Sequence, residues 1–171
     1  MDSEFKLYLY PEKPDYQADL SVLISLLKNL KFLGKSLSQH HYAVGDNFLS
    51  LLTFMGCSPD IELEPQDNKP YCYIEVDSFK RAQFISGINT KYPPCPHCKE
   101  KLNNRICSNC NETLDAITTN WRKSAFISQC WICIGNIYEL EAIPGDLLLM
   151  ALEKETGIKW KPAYIRRKPI T

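Results

Sequence analysis

The chain contains no Gly-x-Gly-x-x-Gly run, no Walker-type loop, no Gly-x-Ser-x-Gly elbow and no His-Glu-x-x-His helix. The common signatures of cofactor binding and of hydrolase chemistry are therefore missing. It also lacks a membrane-length apolar run. LSVLISLL and FLSLLTFM, its most apolar segments, fall far short of the roughly 20 residues a bilayer demands. The first residues, MDSEFKLYLYPEKPD, have neither a basic start nor a long apolar stretch, which argues against a secretory leader and sets the expectation of a cytoplasmic protein. No internal repeat or low-complexity tract is visible. Net charge is absent as well, with 20 Lys/Arg against 20 Asp/Glu, and no dense basic run marks a nucleic-acid binder.

What is present fits an ordinary globular chain. The 171 residues suffice for one domain spanning 1–171, and hydrophobic content of 44% with charged content of 23% is typical of a packed fold. The charges are unevenly spread. Residues 1–79 hold six Lys/Arg against twelve Asp/Glu, whereas residues 80–123 hold eight against three. Two complementary faces of one domain would explain this, and so would a basic segment that meets an anionic partner.

Hydrophobic periodicity outlines the elements. EFKLYLY (4–10) alternates at period two and reads as a strand ending at Pro11. Leu20, Leu23, Leu27 and Leu30 share one helical stripe, with Asp19 as N-cap and Gly34 as the stop. DNFLSLLTFMG fits a short helix or a buried strand. CSPDIELEPQDNKP reads as an irregular acidic loop, and YCYIEVD (71–77) as a strand. AFISQCWICIGNIYEL is a long β-rich run in which Gly135 marks a bulge or bend. Pro-Gly-Asp and Gly157 bracket a helix from about Asp146 to Thr156, and IKWKPAYI closes the chain as a strand. The order approximates β-α-β-β-α-β: an α+β class, with an antiparallel sheet, two main helices and a ferredoxin-like plan.

Between the YCYIEVD strand and the AFISQCWICIGNIYEL run lies CPHCKEKLNNRICSNC, two Cys-x-x-Cys pairs separated by eight residues. In each pair a tight turn returns the second thiolate to the side of the first. Two such knuckles place four sulfurs tetrahedrally at about 2.3 Å from a zinc ion. Asn103 and Asn104 are expected to turn the chain between them, because Asn tolerates the left-handed region. In a reducing setting paired cysteines favour metal over disulfides, which stay open as the alternative together with free thiols. The stretch resembles the zinc-ribbon (rubredoxin-like) module through Cys95, Cys98, Cys107 and Cys110. The resemblance covers these sixteen residues of an insert at 93–112. It implies one closed structural zinc, with a rubredoxin-type iron as the other choice, and no particular activity. His97 between the first thiols reads as an exposed knuckle residue.

Other residues with chemical capacity read mostly as structural. Cys130 and Cys133 in CWIC lie in a strand-like run, where residues three apart face opposite sides. Cys57 beside Gly56 is a lone loop thiol, for which His40 or His41 would have to supply a base. Cys72 lies in the YCYIEVD strand. Asp60, Glu62 and Glu64 alternate as a solvated acidic edge. Lys99, Lys101, Arg105, Trp121, Arg122 and Lys123 form a basic neighbourhood with one aromatic, to which the tail adds Lys159, Trp160, Lys161, Arg166, Arg167 and Lys168. Such a surface could stack a base and neutralise phosphates. The leading expectation is a non-enzymatic, zinc-stabilised accessory or adaptor protein that binds another protein. The alternatives are a nucleic-acid-binding zinc-ribbon protein using the basic 99–123 region and the tail, and a thiol enzyme or redox protein using Cys57 or Cys130/Cys133.

Overall fold

Alternating apolar residues in EFKLYLYP build β1, Glu4–Pro11, which buries Leu7 and Leu9 completely on one face. The computed structural model describes residues 4–56 and 61–168. Asp19 then starts helix α1, Leu20–Asn29. Its carboxylate accepts the backbone N–H of Ser21 at 2.9 Å and of Val22 at 3.3 Å, pairing donors that a first turn leaves open. The helix ends before the expected stop at Gly34, which lies inside the next strand. That strand, β2 (Leu33–Ser38), forms a hairpin with β3 (His41–Val44). The ambiguous DNFLSLLTFMG is both things expected of it: a one-turn helix α2, Phe48–Leu51, running directly into β4, Leu52–Phe54.

Two long strands follow, β5 (Tyr73–Ser86) and β6 (Ala125–Gly135). After them come β7 (Ala142–Pro144), helix α3 (Asp146–Thr156) and β8 (Trp160–Arg167). Gly157 closes α3 in the left-handed conformation at φ 71°, its N–H donating to Glu153 O at 2.7 Å. The bracketing read from the sequence therefore holds at both ends of this helix.

The main sheet has the antiparallel order β2-β3-β5-β6-β1-β8, and β4 and β7 pair as a separate two-stranded sheet. β6 lies between β1 and β5, while β1 lies between β6 and β8. The units β1-α1-β5 and β6-α3-β8 are thus split βαβ halves, which gives the ferredoxin-like plan with the β2–β3 hairpin added at one edge. One face of the sheet, carrying Leu7, Leu9, Ile74, Val76, Ile132 and Ile134, packs under Leu23 and Leu27 of α1 and Leu148 and Leu152 of α3. This is the main core.

The other face carries no helix among the described residues. It is covered instead by the far half of the β5–β6 hairpin, which folds back over it. Between Ser78↔Cys130 and Gln83↔Ser128 the register advances five residues on β5 against two on β6, and such a surplus bends a ribbon sharply. Ser128, fully buried, secures the bend by donating its hydroxyl to Cys130 O at 2.9 Å. Beyond it Phe126 lies flat on Tyr10, with ring centres 4.3 Å apart and planes 12° apart, and tilts against Tyr8. Gly135 is not a bulge: it pairs in register with Lys6 and Tyr73, and a β-carbon there would collide with the Tyr73 ring.

The cysteine-rich segment fills the loop of this hairpin, from Gly87 to Ser124, closed by the Ser86↔Ala125 pair. It does not project freely. Ile88 N–H donates to Arg166 O at 2.9 Å, Arg166 N–H donates to Asn89 Oδ1 at 2.9 Å, and Asn89 Nδ2 donates to Tyr164 O at 2.9 Å. Tyr164 N–H in turn donates to Lys123 O at 2.7 Å. Both feet of the segment therefore seal the outer edge of β8, which would otherwise be an open pairing edge.

Candidate metal centre

The two knuckles are built alike. CPHCKE (95–100) and CSNCNE (107–112) share Cys at the first and fourth positions and Glu at the sixth. In the first, Cys95 N–H donates to Glu100 O at 2.9 Å and Lys99 N–H donates to Cys95 O at 3.0 Å. In the second, Cys107 N–H donates to Glu112 O and Asn111 N–H donates to Cys107 O, both at 2.8 Å. Each turn closes on a left-handed residue after its second cysteine, Lys99 at φ 66° and Asn111 at φ 60°. The left-handed positions thus fall inside the knuckles rather than at Asn103 or Asn104. Asn104 serves otherwise, its side-chain oxygen accepting the Ile106 N–H at 2.7 Å.

An Ile106↔Thr113 bridge and a Leu114 N–H to Arg105 O bond of 2.8 Å close the base of the second knuckle. The two knuckles together bring the four sulfurs into one cluster. Cys95 and Cys110 Sγ are 3.5 Å apart, as are Cys98 and Cys107, and all four lie within 4.8 Å of one another. A sulfur tetrahedron around an ion at about 2.3 Å has edges near 3.8 Å, whereas a disulfide requires about 2.05 Å. The spacing suits a four-coordinate ion and none of the four is bridged. The first cysteine of each knuckle is buried and the second half-buried. Beneath them Leu102, Leu114 and Trp121 form a small apolar core of their own.

The thiols also differ in acidity. The Asn109 side chain, followed by the Glu100 N–H, lowers Cys98 to about 6. The Glu112 N–H also favours the Cys110 thiolate, but desolvation and then the three neighbouring sulfurs together outweigh it and push that thiol up to about 12. Four thiolates this close repel one another, and a bound cation removes the conflict. These residues could hold a metal ion. His97 is exposed and stands outside the sulfur cluster.

The basic neighbourhood divides on folding. Lys99, Lys101, Arg122 and Lys123 are exposed. Trp121 is not a surface platform: it is 6% exposed, its Nε1–H donates to Ala116 O at 2.9 Å, and its ring packs on Phe84 and Tyr92. Arg105 is also committed to packing, with Nε donating to Leu114 O at 3.2 Å and the guanidinium 4.9 Å above the Phe84 ring. Among the described residues three ion pairs occur, Lys6–Glu4, His41–Glu75 and Lys161–Glu12. None engages the basic groups of the cysteine segment.

The remaining thiols are dispersed. Cys130 joins the helix-side core and Cys133 the opposite one, as their spacing in a strand requires. Burial pushes the Cys72 thiol up to about 12, Cys130 to about 11 and Cys133 to about 12. Cys57 and Asp60 lie outside the described residues. His40 takes the left-handed turn position between β2 and β3, while His41 lies on β3 with Nδ1 at 3.9 Å from Glu75. Glu62 and Glu64 occupy an irregular segment rather than a strand edge.

One feature near the metal centre has no signature in the sequence. Arg122 and Lys123 are consecutive left-handed residues, at φ 51° and 60°, and no glycine signals them. They line a cleft of about 690 Å³ between the 116–123 loop and the neighbouring ends of β1 and β8. No helix among the described residues is long and apolar enough to cross a membrane. Comparison of the chain with protein-family models, curated proteins and solved structures returns no match.

Proposed function

We propose that this chain is a non-catalytic adaptor protein in which a zinc-ribbon module, holding one structural zinc through Cys95, Cys98, Cys107 and Cys110, staples the β5–β6 hairpin to the edge of β8. Zinc is favoured over iron as a redox-inert ion suited to a closed tetrathiolate site. Four thiolates fill such a coordination sphere and leave no position for a substrate, so the metal supports structure rather than turnover. The wide separation of Cys130 and Cys133 onto opposite faces of one strand argues against their use as a dithiol pair.

The observation that carries the adaptor reading is apolar exposure on α2, β7 and α3, which carry four of the twelve exposed large hydrophobics among the described residues. Leu147 is 71% exposed, Met150 65%, Leu49 45% and Ile143 37%. Leu147 and Met150 lie one turn apart on α3, and the α3 start is tied to α2 by Gly145 N–H donating to Leu51 O at 2.9 Å. Exposed apolar clusters of this kind mark interaction sites. Glu139, Glu141, Asp146, Glu153 and Glu155 accompany them against the single Lys154. The fitting partner is a protein segment with apolar anchors flanked by Lys or Arg. A photo-crosslinker at Met150, used in an extract of the cells that make the protein, should yield a discrete adduct. That adduct should disappear with Leu147→Glu and weaken with salt. The same crosslinker at Lys35 is the control, and an adduct no stronger at Met150 than at Lys35 removes the reading.

A further inference from the structure

The left-handed pair Arg122–Lys123 points to a second binding surface, independent of the one on α3. Glycine adopts this backbone freely, whereas a residue with a β-carbon does so only at a cost. Part of the geometry has a structural purpose, since Lys123 O accepts the Tyr164 N–H and Arg122 N–H donates to Asn120 Oδ1 at 3.0 Å. Backbone bonds of this kind would be made equally well by Gly-Gly. The two cationic side chains are therefore extra to the turn, exposed and, among the described residues, without a carboxylate partner. Strained residues that a fold does not itself require concentrate at ligand-binding sites.

Their surroundings select the ligand. The cleft of about 690 Å³ beside them has Tyr10, Phe126, Ile117 and Pro162 among its walls. One face of Tyr10 is taken by Phe126. Lys161 at the rim is neutralised by Glu12 at 3.5 Å, which leaves Arg122 and Lys123 as the free charges. Arg122 also lines an adjoining hollow of about 700 Å³ that includes Lys91 and Tyr92, with the carboxylates of Glu112 and Asp115 also among its walls, so the positive charge is at the Arg122 junction rather than throughout the hollow. Two aromatic-walled hollows joined at an arginine match consecutive bases of a strand whose phosphate crosses the junction. A bare acidic peptide would have no use for the aromatic walls, and a duplex could not place its stacked bases in them. We propose that the Arg122–Lys123 ridge binds single-stranded nucleic acid, contacting its phosphodiester backbone, with bases against Tyr10 on one side and Tyr92 on the other.

The test uses the full zinc-loaded chain and two fluorescent probes, an oligouridylate and an oligodeoxythymidylate of about a dozen nucleotides, which distinguish RNA from DNA. Binding is measured by anisotropy across a salt series. Saturable binding at low salt is expected for at least one probe. Arg122→Gly with Lys123→Gly should weaken it at least tenfold and reduce the log–log salt slope by about 1.4, since each phosphate contact on a single strand contributes about 0.7. Its melting midpoint should not fall, because glycine relieves the backbone at both sites. The Arg122→Gln/Lys123→Gln pair should lose the same affinity and decides the matter if the glycine pair misfolds. Lys35→Gln on β2 should change nothing. Failure of both probes to bind, an equal effect from Lys35→Gln, or an unchanged salt slope in the double variants overturns the proposal. Displacement of the probe by polyglutamate at equal charge concentration overturns it too, and assigns the ridge to an acidic protein. None of these outcomes bears on crosslinking from Met150, so the two readings fail separately.

Discussion

Asn89 grips the outer edge of β8 as a strand would: its side-chain oxygen accepts the N–H of Arg166 and its amide nitrogen donates to the carbonyl of Tyr164, each at 2.9 Å. Lys123 O adds a third bond from the other foot of the cysteine segment, and Pro162 has no N–H to leave open. A side-chain amide thus replaces an edge strand. The arrangement couples the metal centre to the sheet, because the order of residues 87–91 and 120–124 depends on the knuckles between them.

Asn89→Ala removes both bonds and leaves the β8 edge to water. Each such bond contributes about 1 kcal/mol net, so a loss of about 1–2 kcal/mol is expected. Denaturant unfolding measures the loss. Hydrogen exchange should localise it, with the Arg166 amide deprotected while Leu7 and Ile132 in the sheet interior keep their protection. Uniform deprotection across the sheet would contradict this coupling.

Metal content is the next expectation. Elemental analysis should find about one zinc per chain, and Cys107→Ser should lose it, since three thiolates in an otherwise closed site hold the ion far less well. The helix-side core contains none of the ligands, so helical circular dichroism should persist in the variant. The small core of Leu102, Leu114 and Trp121 should open, moving Trp121 fluorescence to longer wavelength. Full zinc occupancy in Cys107→Ser would show the ligand set to be wrong.

How far the sequence carried these features depended on the range of the interactions behind them. Helix α3 was legible because its signals are local: Pro-Gly-Asp before it and a left-handed Gly157 after it. Asp19 and the opposed faces of Cys130 and Cys133 were equally local. The four-sulfur cluster was readable because two knuckles enforce it at short separation. The fold-back of the β5–β6 hairpin was not, since it depends on a register surplus at Ser78–Gln83 and on bonds such as Lys123 to Tyr164, forty-one residues apart. Trp121 misled for a related reason: a tryptophan among lysines reads as surface until the indole finds Ala116 O, Phe84 and Tyr92. The Gly34 stop failed because tertiary pairing with β3 claimed that glycine for a strand.

Thiol accessibility separates the cysteines into two classes. In a Cys57→Ser background at pH 8, the zinc-loaded protein should react negligibly with Ellman's reagent. Chelation should expose four thiols quickly. Cys72, Cys130 and Cys133 should react only on unfolding, because burial raises each well above the ordinary value of about 8.5. The sign of the linked stability follows. A thiol with a raised folded-state pKa contributes stability that is complete below the unfolded pKa and is lost as pH rises toward the folded one. Unfolding midpoints should therefore fall from about pH 8.5 upward, and a Cys130→Ala/Cys133→Ala variant should show a shallower alkaline decline. Rapid native reactivity at Cys130 or Cys133 would reopen a redox role for the pair.

The N-cap of α1 gives the opposite pH dependence and so a control on the alkaline one. Hydrogen bonds from the Ser21 hydroxyl, and then from the Val22 and Ser21 amides, hold the Asp19 carboxyl below its ordinary value of 3.8. A depressed folded-state pKa contributes stability that is present above the unfolded value and lost as pH falls through the folded one. Asp19→Ala should therefore melt at a lower temperature than the parent at pH 7. The gap should narrow as pH falls below about 4, where the carboxyl begins to protonate. Asp19→Asn retains an acceptor for the same amides, so it should recover most of the midpoint at pH 7 and show no narrowing of its own. Because Asp19 lies on α1, far in sequence from the cysteine segment, zinc stoichiometry should be the same in all three proteins. A midpoint gap for Asp19→Ala that stays constant down to acid pH would mean that the contribution of Asp19 does not depend on its ionised carboxylate, and no gap at pH 7 would mean that its bonds to Ser21 and Val22 contribute nothing to stability.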